Sequence, residues 1–117
     1  MKNNPNDPLR DLARSSLEFL QRFNAAQQSP ERVSAHLGVF REEVGEFIEA
    51  AQDGTNKDHI AEEAADVFVT VINACHAAGV DIEQLVKQVY AVAAKNDAKT
   101  HETHIDLNGK IRRREPR

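Results

Sequence analysis

Apolar residues recur every three or four positions through most of the chain, and strand-like alternation is nearly absent until the tail. That pattern predicts four helices. The first covers about residues 8–26, with Leu9, Leu12, Ala13, Leu17, Leu20 and Phe23 at helical spacing, and Asp7 before Pro8 as its start signal. The second covers about 30–53. Ser29-Pro30 opens it, Gly54 stops it, and Val33, Leu37, Phe40, Val44, Ile48 and Ala51 form its stripe. Gly45 lies inside this helix at a propensity cost of about 1 kcal/mol against alanine, which reads either as room for a close neighbour or ligand or as a tolerated defect. The third covers about 57–78, striped by Ile60, Ala64, Val67, Phe68, Val71 and Cys75 and closed by Gly79. The fourth follows Asp81 with Ile82, Leu85, Val86, Val89 and Val92 and runs to about 99. The connection through Gly79, Val80 and Asp81 is so short that helices three and four should be antiparallel neighbours. After residue 100 the pattern changes. Asn108-Gly109 between short apolar-containing runs is a hairpin-turn signal. The expected organisation is therefore an all-α four-helix bundle over 1–100, with a short C-terminal arm over 101–117.

One polar pattern is written twice. FREEVGEFI, from Phe40, is echoed by IAEEAADVF, from Ile60. With about 100° per residue, Glu43 and Glu46 fall on one shoulder of the second helix's stripe, and Glu63 and Asp66 on the same shoulder of the third. Glu42, Glu49 and Glu62 lie further round, towards solvent. One such shoulder alone reads as a solvated face. Two in register, on helices that can pack antiparallel, would crowd four carboxylates into one groove, and like charges at that spacing repel. A bound cation would relieve this. Hard oxygen donors without cysteine or histidine favour Mg²⁺, or Mn²⁺, over zinc. A di-iron bundle would need histidine three residues after a glutamate, which this chain lacks.

Composition narrows the class. At 117 residues with a net charge of −4 the chain reads as one domain without a general nucleic-acid or membrane-surface role. The one basic run is Arg112, Arg113 and Arg114, which reads as a basic tail or as a reach towards phosphate. No segment is apolar enough to span a bilayer, no signal-peptide core opens the chain, and the single cysteine, Cys75, excludes an intrachain disulfide. A cytoplasmic protein is expected.

Glu42-Glu43-Val44-Gly45-Glu46 followed by Glu63-Ala64-Ala65-Asp66 is an EExxE and an ExxD. Together with the run from Ala65 to Val71 and the turn at Gly79-Val80-Asp81, it resembles the all-α nucleoside triphosphate pyrophosphohydrolases. These include the MazG-like proteins, the dimeric dUTPases and dCTPases, and the phosphoribosyl-ATP pyrophosphohydrolases. The resemblance covers about residues 17–99. It implies Mg²⁺-dependent release of pyrophosphate from a nucleoside triphosphate such as dUTP, leaving the monophosphate. Phosphoribosyl-ATP is the alternative substrate. It implies Glu43, Glu46, Glu63 and Asp66 as metal ligands and Glu42 as a further ligand or the residue that orients water. It also implies Lys95, Asn96 and Lys99 near the phosphates, although they sit about one turn further from Gly79 than the family pattern.

Phe19, at the edge of the first stripe, is a candidate to stack on the base, and Phe23 is read as core. Cys75 is read as a buried thiol, and His101 and His104 as a solvated pair. Stripes on so short a chain point to burial between copies, as a homodimer or homotetramer. The rival from another class is a non-catalytic helical module that offers its acidic groove to a basic partner.

Overall fold

The computed structural model describes residues 3–115. It contains helices α1 (Pro8–Arg22), α2 (Pro30–Asp53), α3 (Lys57–Ala77) and α4 (Ile82–Ala98), then strands β1 (His104–Leu107) and β2 (Lys110–Arg113). By compactness the chain divides into two units. One holds α1, α2, α3 and the first residues of α4 up to Leu85, and the other begins at Val86.

Caps define the helix starts. The side chains of Asp7, Ser29 and Asn56 accept hydrogen bonds from the backbone N–H three residues on, at the N-termini of α1, α2 and α3. Proline occupies the first position of α1 and α2, where its missing N–H costs nothing. At the other ends, Gly54 and Gly79 take positive φ, as expected for C-terminal glycines.

The first helix stops earlier than its periodicity predicts. Asn24 takes φ 53°, and the Ala25 N–H bonds back to the Leu20 carbonyl while that of Asn24 bonds to Gln21. This is a Schellman closure with asparagine in the position usually held by glycine. Phe23 consequently sits at the C-cap, 67% exposed, and does not join the core as its spacing implied.

In the first unit, α2 and α3 form the most extensive pairing, and α1 lies against α3. The Ser16 hydroxyl of α1 donates to the side-chain amide oxygen Oδ1 of Asn73 on α3. Arg10 makes a two-pronged contact with Glu83, at 2.8 Å to each oxygen. The connection from α1 to α2 is pinned to the end of α3, where the Gln28 amide donates to the His76 carbonyl.

The stripes of α2 and α3 face inward only in part: Val33, Phe40, Val44, Ile60, Ala64, Val67 and Cys75 are half-buried, and the rest of each stripe is open. On α3 the buried residues are Glu63, Thr70, Ile72 and Ala77, whereas Phe68 is 59% and Val71 38% exposed. On α2 the buried residue is Ala50, whereas Ile48 is 46% exposed and Leu37 is also exposed. With about 100° per residue, each exposed stripe lies between a quarter and half a turn from its helix's buried side, in the same rotational sense. In an antiparallel pair this puts both stripes on one side of the pair. No large side chain is fully buried among the described residues. Gly45 has no approaching neighbour, since a Cβ there would meet nothing within 4 Å.

In the second unit, β1 and β2 form an antiparallel hairpin with Leu107 opposite Lys110. Asn108 and Gly109 both take positive φ, as a two-residue turn of the primed type requires. The backbone N–H of Arg114 and its guanidinium Nε donate to the Thr103 and His101 carbonyls, closing the base of the hairpin. No described helix is long and apolar enough to cross a membrane.

Candidate functional site

Helices α2 and α3 run in opposite directions past each other. Asp66 lies with Glu43, while His59, earlier on α3, shares a pocket with Glu49 and Asp53, later on α2. This arrangement brings the doubled acidic pattern together. One carboxylate oxygen from each of Glu43, Glu63 and Asp66 lies within 4.8 Å of the others. Glu46 is close enough to act on the charges of both Glu43 and Glu63. Glu42, Glu49 and Glu62 are exposed.

Burial within the cluster is uneven. Glu63 is buried, Glu43 is half-buried and Asp66 is exposed. Glu43 Oε2 and Glu63 Oε2 are both buried without a hydrogen-bond partner. Such oxygens are costly to leave unsatisfied. Desolvation pushes the Glu43 carboxyl above its ordinary value, and the charges of Glu46 and Asp66 push it further. Desolvation also raises Glu63, reinforced by Glu46 and opposed by His59. Two carboxyls that resist ionisation, gathered with Glu46 and Asp66, make a site ready for positive charge, and the donors are all hard oxygens.

Beside the cluster lies an open pocket of about 480 Å³ lined by Glu46, Glu49, Asp53, His59 and Glu63. His59 was not among the residues singled out in the sequence, because it belongs to neither acidic motif. A separate cavity of about 220 Å³ between α1 and α3 is apolar, lined by Leu17, Leu20, Ile72 and Cys75 among others, and contains none of the cluster's acids.

The other sequence candidates are placed as follows. Phe19 is exposed on α1, with its ring 5.0 Å from that of Phe23 and the Arg22 guanidinium 5.8 Å from its centre. Lys95, Asn96 and Lys99 are exposed in the second unit. Asn96 and Lys99 line an open pocket there with His101, His104 and Arg114. Cys75 is half-buried against the apolar cavity.

No curated protein and no solved structure matches the chain. A family model, phosphoribosyl-ATP pyrophosphohydrolase, matches residues 17–93, a span that takes in both acidic motifs and most of the helical chain. With an all-α fold and this match over most of its length, the chain belongs to the phosphoribosyl-ATP pyrophosphohydrolase family, within the MazG-like nucleoside triphosphate pyrophosphohydrolases.

Proposed function

We propose that this chain is a Mg²⁺-dependent pyrophosphohydrolase that converts a nucleoside triphosphate into the monophosphate and pyrophosphate. The observation that carries the reading is the pair of buried carboxylate oxygens, Glu43 Oε2 and Glu63 Oε2, left without partners in a cluster of like charge. A divalent ion fits such oxygens, and an acidic groove in a chain of net charge −4 needs one before it can accept a polyanion. Glu43, Glu46, Glu63 and Asp66 would hold it. When bound, Mg²⁺ or Mn²⁺ would neutralise phosphate charge and lower the pKa of water. Glu42, exposed beside Glu43, is assigned to orienting the attacking water. Phosphoryl transfer asks the protein for positioning and charge stabilisation, which this set supplies.

Two substrates are in view. A deoxynucleotide such as dUTP suits a nucleotide-pool role, which would place the protein in the cytoplasm. The family match favours phosphoribosyl-ATP at least as much, since the matched family is named for that reaction. Phe19 enters as the base-stacking candidate, and Lys95, Asn96 and Lys99 as phosphate contacts on their chemistry alone. The exposed stripes of α2 and α3 are assigned to a second copy of the chain, giving a homodimer or a dimer of dimers.

The deciding experiment is pyrophosphate release from canonical and modified nucleoside triphosphates and phosphoribosyl-ATP, with and without Mg²⁺. Metal-dependent release from one or a few compounds is expected and names the substrate. Folded, metal-loaded protein that releases none would favour the acidic interaction module.

A further inference from the structure

His59 stands beside the most buried carboxylate of the cluster. It is the third residue of α3, and the Asn56 side chain that caps the helix accepts the His59 backbone N–H at 3.0 Å. Its backbone is thereby fixed, and the i,i+3 and i,i+4 spacings bring Glu62 and Glu63 to its ring. His59 Nε2 lies 3.8 Å from Glu63 Oε1, and Nδ1 lies 4.0 Å from Glu62 Oε2. The imidazole is 51% exposed and the Glu63 side chain 11%, so the ring stands at the rim over a buried carboxylate. Among the side chains lining the pocket there, the others that carry polar atoms are Glu46, Glu49, Asp53 and Glu63, so His59 is the hydrogen-bond donor to hand. Glu63 Oε2, the oxygen away from this contact, is the one buried without a partner.

From this the geometry points to His59 as a positioning residue: its imidazole Nε2, 3.8 Å from Glu63 Oε1 and just outside hydrogen-bond reach as it stands, closes onto that oxygen when the site is loaded, holds it at the rim and leaves Oε2 for the cation shared with Glu43 and Asp66. The inference rests on the metal-site reading above. Ligating carboxylates are themselves held by outer hydrogen bonds, and loss of such a partner typically weakens metal binding by about 10- to 100-fold.

The test is direct Mn²⁺ binding, read from the paramagnetic resonance of free Mn²⁺, with the Tm of each metal-free variant alongside. Wild type should bind, and Glu46→Gln combined with Asp66→Asn should not. His59→Ala should weaken binding by about 10-fold. His59→Gln, whose amide can donate in the same direction, should largely restore it, with the metal-free Tm near wild type throughout. If His59→Ala binds as wild type does, or if both His59 variants weaken binding equally, the positioning role is overturned while the metal site stands. If wild type does not bind, or the double variant binds as well as wild type, the metal site itself falls and takes this role with it.

Discussion

A carboxylate that resists ionisation makes the metal-free protein sensitive to pH in an unusual direction. The folded pKa values of Glu43 and Glu63 are raised, so the native state holds protons that the unfolded chain releases. Stability therefore falls as pH rises from the ordinary carboxyl value through the raised one. Glu83 works the other way. Arg10 lowers its pKa, and its contribution is gained as pH rises through the range below the ordinary value. Comparing variants isolates the first effect. Glu63→Gln should flatten the fall of Tm on the high-pH side and raise Tm of the metal-free protein near neutrality. The same change should lower turnover by about 100-fold or more, since under the proposed metal site it removes a ligand, where loss of an outer partner alone costs 10- to 100-fold. Thermal melts across pH and a pyrophosphate-release assay check the two halves separately. Metal should reverse the penalty. At a concentration 100 times its Kd, Mg²⁺ or Mn²⁺ should add about 2.7 kcal/mol to wild type. Glu46→Gln combined with Asp66→Asn should abolish that gain in a melt with and without metal.

At the level of the elements, the helix ends carry stability that the site depends on. Asn56 caps α3 three residues before His59. Asn56→Ala should cost about 1 kcal/mol by denaturant unfolding. Gly45 behaves oppositely, because space is open where its Cβ would be and it lies within α2. Gly45→Ala should stabilise by up to about 1 kcal/mol, with no loss of metal binding. These elements also show what the sequence could and could not reveal. The bounds of α2 were readable because Ser29-Pro30 and Gly54 are unambiguous punctuation. The end of α1 was not, because an asparagine took the left-handed turn usually given to glycine. The meeting of Glu43, Glu63 and Asp66 was legible in a pattern repeated on two helices. The role of His59 was not, since its place beside Glu63 depends on the cap and the ring's orientation rather than on a motif. Nor was the facing of the stripes. Period fixes which residues share a side of a helix, but not which side finds a partner.

For the whole molecule, the question is what covers the exposed apolar side of α2 and α3. Leu37, Ile48, Phe68 and Val71 are exposed there, while the buried side of the same helices carries Glu63 and half-buried Glu43. A lone chain would leave these four side chains to water while it buries Glu63. Pairing two copies through the apolar stripes would cover them, and specific interfaces commonly bury about 1,200–2,000 Å² in total. If a second copy is the partner, Tm should rise with protein concentration, because association stabilises only the folded state. Sedimentation velocity should give at least a dimer. Phe68→Asp should shift the protein to monomer or lower its Tm sharply, since it would set a charge in the apolar interface. Glu62→Gln, on the exposed acidic side of α3, should leave the oligomer intact. Activity then separates two roles for the pairing. Loss of turnover on dilution, in step with loss of the dimer, would mean that association holds the α2–α3 pair in its metal-binding form. Turnover per chain that survives dilution into monomer would mean that each acidic cluster is complete by itself, and that pairing serves stability alone.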